Sequence, residues 1–336
     1  MDKKKKILGG LLGAAVGDAM GAATETRSTT QIIERFGGIV DDFIDAPDDV
    51  FARGFKAGSV TDDFSLAYCT AEAIIESGGN VDNKTAENAL INWSKTKYYC
   101  LAGPTTVKAV DKMLGKEVVE YASFITYDCA KGSDGGAMKI SPVGLASNGD
   151  VNKAIKDAIT ICRPTHFNTT ALSGACAIAA ACSEALNENA TVESVIEAGL
   201  KGAAEGFTVA FDEGKELSNP SIYKRIALAV EIAKKCDGDM SKAMRELEDV
   251  IGSGLSASEA VPCAFGLLQA SNGDAKKAIV AAVNIGNDTD TVATMVGAMA
   301  GALEGYYDEN YLKIINEMND YDLEALADKL LEVSNG

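Results

Sequence analysis

Apolar residues recur along most of this chain at spacings of three and four, the signature of helices with one buried face. Reading that period together with the Ser, Thr, Asp and Asn residues that open many of the runs predicts helices over Ile7 to Ala22, Thr29 to Phe36, Asp63 to Ser77, Thr85 to Lys97, Thr105 to Leu114, Val151 to Cys162 and Asn168 to Leu186. The pattern continues over Thr191 to Glu205, Ser221 to Lys235, Met240 to Ile251, Ala260 to Ala270, Ala275 to Val283, Thr291 to Leu303 and Asp322 to Val333. Alternation of Val, Ile or Tyr long enough for a sheet is nearly absent, so an all-α fold is expected. Several of these helices are rich in Ala and Gly, as in Ala171 to Ala181 and Ala293 to Ala302. Side chains this small let helix axes approach closely and lose little entropy on burial.

One internal repeat emerges from the pattern. Ala146 to Ile161 matches Ala270 to Ile285 at an offset of 124 residues. In both copies Asn-Gly-Asp makes a turn and an N-cap, and an amphipathic helix follows. At the same offset Thr165-His166 falls on Thr289-Asp290. The chain's one histidine therefore takes the place that an aspartate holds in the second copy, and the two loops are expected to face one cleft. A histidine that merely caps or packs is the plainer alternative.

At 336 residues the chain is long enough for one large domain or two ordinary ones. Its six prolines mark loops without any low-complexity linker between them, which favours one compact domain over 1–336. A net charge of −18 argues against nucleic-acid backbone binding as the main activity, while a local basic pocket for a small phosphate-bearing ligand stays open. Eight cysteines, at 69, 100, 129, 162, 176, 182, 236 and 263, show no CxxC pair and read as small core residues in a reducing cytoplasm. Lys3 to Lys6 followed by Ile7 to Val16 imitates a secretory leader. The run is short and Gly-rich, however, and leads into Gly17-Asp18 and Glu25, so a cytoplasmic first helix is the better account. No stretch approaches the ~18 to 20 apolar residues of a membrane span.

Two acidic runs carry the candidate chemistry. Thr61-Asp62-Asp63 and Asp288-Thr289-Asp290-Thr291 lie more than two hundred residues apart, and each opens an apolar helix. Thr and Asp are ordinary caps, and negative charge is favourable at a helix N-terminus. Capping accounts for one such residue per helix, though, not for four carboxylates with flanking hydroxyls. Held together beside apolar helices they would repel one another and lose hydration unless a cation sat among them, and a hard divalent ion with oxygen ligands fits best. The second run also fits the DxDxT pattern of haloacid-dehalogenase-like phosphatases. That chemistry expects the motif on an early strand with the catalytic domain after it, whereas only 45 residues follow Thr291. Two further segments have a loop-like composition: Lys131 to Ala137, whose glycines would let backbone N–H groups approach an anion, and Gly17-Asp18 leading to Glu25. Glu25 itself reads equally as an exposed charge ending a helix.

Taken in order, these motifs resemble the ADP-ribosylglycohydrolases, a family that includes dinitrogenase reductase-activating glycohydrolase. The resemblance runs from Leu11 to Gly21 with Glu25, through Thr61-Asp62-Asp63, Asp134 to Met138 with Pro142 to Gly144, and Thr165-His166, to Gly286 through Thr291. It implies a compact single-domain orthogonal helical bundle with two Mg²⁺ ions, or Mn²⁺, in a central cleft. Thr61, Asp62, Asp63, Asp288, Asp290 and Thr291 would be the ligands, with Glu25 and Asp62 as catalytic carboxylates. Gly132, Ser133, Asp134 and Gly135 would approach substrate phosphates, and His166 the substrate rim. The implied reaction is hydrolysis of a glycosidic bond at C1 of a ribose, in an ADP-ribosylated protein side chain or a small ADP-ribosyl compound. Two cations about 3.5 to 4 Å apart would orient the ribose hydroxyls and activate water, and Glu25 would take the water's proton as the bond breaks. Nearby carboxylates would stabilise the oxocarbenium character of the transition state. The chain departs from the family pattern at Phe64, Asn287 and Asp134, the last adding a negative charge that a metal or Lys139 would have to balance. Two other functions stand beside this one. An N-ribosyl hydrolase of free nucleosides or nucleotides would use the same metals, and a non-catalytic member, like the lens crystallins of the family, would be expected to have lost ligands that are all present here.

Overall fold

The computed structural model describes residues 2–118 and 132–335; Cys129 and Lys131 lie outside them. It is all-α. Sixteen α-helices follow in chain order among the described residues: α1 (Lys3–Gly21), α2 (Thr29–Phe36), α3 (Asp62–Glu76), α4 (Asn83–Trp93), α5 (Pro104–Met113), α6 (Ser141–Leu145), α7 (Val151–Cys162), α8 (Thr169–Ala185), α9 (Val192–Glu213), α10 (Ile222–Lys235), α11 (Met240–Val250), α12 (Ala257–Ala270), α13 (Ala275–Asn284), α14 (Thr289–Glu304), α15 (Glu309–Asn319) and α16 (Leu323–Ser334). A 3₁₀ segment, Lys97–Leu101, precedes α5. Extended backbone pairing among the described residues is confined to isolated bridges, Ser28 with Gly286, Ser133 with Ser256 and Asn168 with Lys215.

Small residues decide how the core is built. Helix α1 lies along α14, and its glycines at 9, 13, 17 and 21 face the backbone of Gly301, Gly297, Ala293 and Asp290 in turn. A Cβ on Gly13 would stand 2.2 Å from the carbonyl oxygen of Gly297, and one on Gly297 the same distance from that of Gly13. Only two bare backbones fit at that separation. Helices α8 and α9 use the same device, Gly202 facing the carbonyl of Cys176 and Gly206 that of Leu172. Lys6 of α1 is buried, and its Nζ donates to the carbonyls of Ala185 and Asn187, capping the end of α8. The basic start of the chain is thus wired into the core. Among the described residues no helix is long and apolar enough to cross a membrane.

The repeat survives in three dimensions. Asn148-Gly149 and Asn272-Gly273 all have positive φ, and Asp150 and Asp274 accept N-cap bonds at the heads of α7 and α13. The sequence of turns even has a third instance, Asp237-Gly238 with the Asp239 cap of α11. The elements depart from the expectation in several places, and α4 ends at Trp93, short of Lys97. Helix α9 runs eight residues beyond Glu205, because Gly206 makes a helix contact instead of a stop. Helices α6 and α15 were not predicted, the one too short to show a period and the other too polar. Gly17-Asp18, read as loop-like, lies within α1.

Candidate active site

Helices α3 and α14 both begin at the wall of one cavity of about 480 Å³. Thr61 caps α3, its Oγ1 accepting from the Asp63 N–H at 3.3 Å, so Asp62 and Asp63 fall in the first turn. Asp288 occupies the corresponding position before α14, yet its side chain makes no capping bond. The Asp288 carboxylate is therefore free of the role that composition alone would have given it. Both helices point their positive ends at the acids, which favours negative charge there.

A buried aspartate that the sequence reading did not place in the site fixes the first of these helix starts. Asp18 is fully buried in α1 and accepts from the Thr61 N–H at 2.9 and 3.0 Å and from the Phe64 N–H at 2.8 Å. It locks Thr61 to Asp63 onto α1. Its signal was a lone acid inside an otherwise apolar run. The other helix start is fixed by backbone. Thr26 N–H donates to the carbonyl of Asn287 at 2.7 Å, and Asn287 N–H donates back to that of Arg27 at 2.8 Å. Asn287 has φ +58, a left-handed conformation that Asn tolerates better than most residues, so the departure from glycine there is accommodated by the loop. Phe64, the other departure, is buried against Tyr321 in the core and does not line the cavity.

Glu25 is 4% exposed and lines the cavity, so the alternative of an exposed charge ending a helix is ruled out. Its Oε1 accepts from the N–H groups of Phe51 and Ala52 at 2.8 and 3.2 Å, which ties the irregular segment before α3 over the acids. Thr61, Asp62, Asp63, Asp288, Asp290 and Thr291 line the same cavity, as do Ser133, Asp134, Gly135 and His166. Gly132 does not; it packs against Asn219 and Thr170 and accepts the Ala257 N–H, pairing its loop with the segment before α12. Apolar side chains of Phe51, Leu101, Pro104, Met138 and Leu255 complete the lining with Arg53, the one cationic side chain among the lining residues described.

The electrostatics follow from six carboxylates, Glu25, Asp62, Asp63, Asp134, Asp288 and Asp290, sharing that space. Burial, reinforced by Asp290, pushes Glu25 up to about 9. Burial likewise pushes Asp62 and Asp134 up to about 7, and holds Asp63, Asp288 and Asp18 well above the usual carboxylate range. The δ2 oxygens of Asp63, Asp134 and Asp288 are buried without a hydrogen-bond partner. Such orphans are costly, and together with the hydroxyls of Thr61 and Thr291 they form an all-oxygen donor set suited to a hard divalent ion. The acids do not form a closed cage by themselves: among the described residues no group of three or more His, Cys, Asp or Glu side chains is arranged to hold a metal ion.

His166 is buried, and its desolvation lowers its pKa to about 3, so it is neutral at physiological pH. Its Nδ1 lies 2.8 Å from Thr165 Oγ1 and its Nε2 3.4 Å from Ser133 Oγ, and Gly135 and Gly136 pack on the ring. Lys139 does not balance Asp134; its Nζ donates to Thr165 Oγ1 at 3.2 Å. The repeat brings His166 and Asp290 to one cavity, as the 124-residue offset implied.

Known proteins resemble the chain along most of its length. The chain is 32% identical over 312 residues to the uncharacterized protein YegU of Escherichia coli (strain K12), covering 90% of this chain and 89% of that one. It is 25% identical to ADP-ribosylhydrolase ARH3 of Gallus gallus, with 89% and 85% covered. A solved chain described as an ADP-ribosylglycohydrolase-related protein complex superposes with a TM-score of 0.68 at 22% identity, covering 99% of both, which establishes the shared fold. The profile of one family, ADP-ribosylglycohydrolase, matches residues 1–336 from end to end, and the chain belongs to that family.

Proposed function

We propose that this protein hydrolyses the glycosidic bond at C1 of a ribose in an ADP-ribosylated protein side chain or small ADP-ribosyl compound, using two Mg²⁺ or Mn²⁺ ions. The observation that carries the reading is the convergence of the two acidic helix starts on one cavity, with orphaned oxygens on Asp63 and Asp288. Thr61, Asp62 and Asp63 from one side and Asp288, Asp290 and Thr291 from the other would hold the ions. Bound there, divalent cations supply Lewis acidity toward ribose hydroxyls and toward water. Membership of the family, and the name of the ARH3 relative, support ADP-ribose linkages as the substrate class.

The protein's own groups have definable parts in the reaction. Glu25 is positioned by two backbone N–H bonds on a single oxygen, and its role is to accept the proton of the attacking water. Its raised pKa keeps it protonated at neutral pH while the neighbouring carboxylates are uncompensated. Cations held by Asp290 and Asp62 would oppose that shift, so that Glu25 could act as a base. Asp62, the least buried of the helix-start acids, faces the positive charge that develops on the ribose. His166, neutral and lodged beside Ser133, contributes a polar edge at the rim. Phe51, Leu101 and Leu255 give the cavity an apolar rim.

A second reading, N-ribosyl hydrolysis of free nucleosides or nucleotides, gains support from one observation: the cavity offers only Arg53 as a positive side chain among its described lining residues, while Asp134 adds a negative one. Chromatographic product analysis decides between them. The protein is incubated with ADP-ribosyl-arginine, ADP-ribosyl-serine and a nucleoside panel, with Mg²⁺, Mn²⁺ or chelator, beside Asp290→Asn. Chelator-sensitive release of ADP-ribose, lost in the variant, is the expected result. Release of ribose from nucleosides alone would move the assignment to the second reading, and metal binding without turnover would make the protein a non-catalytic member.

A further inference from the structure

A chain of polar side chains runs from the interior to the wall of the cavity. Lys139, just before α6, is 1% exposed, and its Nζ donates to Thr165 Oγ1 at 3.2 Å. Thr165 Oγ1 lies 2.8 Å from His166 Nδ1, and His166 Nε2 lies 3.4 Å from Ser133 Oγ. His166 and Ser133 line the cavity, whereas Lys139 and Thr165 stand behind it. The ring is held in place at both ends. The N–H groups of Thr165 and His166 donate to the Cys162 carbonyl, at 3.1 and 2.8 Å, where α7 ends, and a Cβ on Gly135 would stand 2.8 Å from His166 Nε2.

The direction of the protons along this chain follows from its buried end. A lysine ammonium donates and cannot accept, and a hydroxyl has a single proton to give. With Lys139 donating to its oxygen, Thr165 still has that proton to place, and the Nδ1 lone pair is the acceptor beside it. Nδ1 then carries no proton, and a neutral imidazole keeps its proton on Nε2. The opposite order would aim Lys139 and an Nδ1–H at one oxygen and leave the threonine proton with neither neighbour to accept it. It would also turn the positive end of the Nδ1–H bond toward the lysine charge. The ring is neutral, since its burial and the nearby Lys139 both disfavour a second proton, so one nitrogen must be bare. We infer that Lys139 and Thr165 are positioning residues that hold His166 as its Nε2–H tautomer, so that the ring donates toward Ser133 at the wall of the cavity. Ser133 Oγ, accepting from the ring, has its own proton free to donate to an acceptor oxygen of a bound ligand, in a cavity rich in carboxylates. The tautomer is set from the interior and does not rest on the reaction proposed above.

Long-range ¹H–¹⁵N correlation spectra of the imidazole test this, because the chain has one histidine and the untagged protein gives one set of ring signals. Spectra are recorded near neutral pH in chelator for the wild type, Lys139→Met and Thr165→Val, with thermal melts to establish that each is folded. The wild type should show a protonated Nε2 and a bare Nδ1. Lys139→Met removes the charged donor and keeps an unbranched side chain. It should move the tautomer ratio toward Nδ1–H by about tenfold, the equivalent of one hydrogen bond to a charged group. Thr165→Val removes the link between lysine and ring and should move the ratio the same way, and it carries the comparison should Lys139→Met fail to fold. An Nδ1–H ring or a mixture of tautomers in the wild type would overturn the inference. So would a wild-type ratio in the folded variants, which would leave the ring held by its packing on Gly135 and Gly136 alone.

Discussion

Gly21→Ala tests whether the packing of α1 on α14 sets the position of Asp290. A Cβ at residue 21 would lie 2.4 Å from the Asp290 Cα, 2.5 Å from its N and 2.7 Å from the carbonyl carbon of Thr289. Carbon contacts settle at about 3.5 to 4.0 Å, and all three obstructing atoms are backbone, so no rotamer change relieves them. The end of α1 and the start of α14 must part by roughly 1 Å, on that contact distance. Overpacking of this kind costs about 1 to 3 kcal/mol, offset by about 0.5 to 1 kcal/mol from replacing Gly with Ala in a helix. A modest fall in melting temperature is therefore expected. The functional loss should be larger, because a ~1 Å misplacement of a reacting constellation costs on the order of 100-fold in rate. Gly13→Ala is the control. Its Cβ would meet the Gly297 carbonyl oxygen at 2.2 Å, an equal clash, but eight residues and therefore roughly 12 Å along the helix from Gly21. Thermal melts and Mn²⁺ titrations of both variants make the comparison. Both should lose stability, and Gly21→Ala alone should lose Mn²⁺ affinity. Wild-type Mn²⁺ binding by Gly21→Ala, or an equal loss in Gly13→Ala, would refute the argument.

Two more outcomes follow from the site. In chelator the folded state holds protons on Asp62 and Asp134 up to about 7 and on Glu25 up to about 9, against ordinary values of 3.8 and 4.5. Their contribution to stability is complete below about pH 4 and is lost as pH rises through those folded values, so the metal-free melting temperature should fall from pH 5 to pH 9. Added Mn²⁺ should stabilise more as pH rises, since its ligands must be deprotonated; a metal-free melting temperature that climbs over this range, in wild type and Asp62→Asn alike, would contradict the assignment. Glu25→Gln retains an oxygen for the Phe51 and Ala52 N–H groups and should lower kcat by about 10² to 10⁴ with Mn²⁺ affinity little changed. Turnover that persists while Mn²⁺ affinity collapses would make Glu25 a ligand and not a base.

Much of this architecture could be read from the residues. Helix α7 begins and ends where its apolar period and the Asp150 cap place it, and the matching turn before α13 announced the second copy. The two acidic runs were visible because caps do not come with so many carboxylates. What escaped the sequence was longer in range. Asp18 organises α3 only through backbone N–H groups more than forty residues away, and no local pattern encodes that. Glu25 was placed beside the acids by the family resemblance and not by local pattern, because its partners, Phe51 and Ala52, sit in a segment without periodicity. Helix α6 has five residues and a proline, too few to register a period. Gly132, placed near the substrate by the resemblance, does not line the cavity; its backbone pairs the loop with the start of α12.

The pairing of α1 with α14 also imposes an order on biosynthesis. Asp290 follows Gly21 by 269 positions, so at ~5 to 20 residues per second the ribosome takes about 15 to 50 s to deliver the second helix to the first. Throughout that interval the glycine face of α1 has no mate and the carboxylates of α3 have no counterpart. An arrested nascent chain would therefore carry an uncovered backbone seam and no place for an ion. On the proposed cation site, an ion could be held only once α14 has emerged and docked on α1.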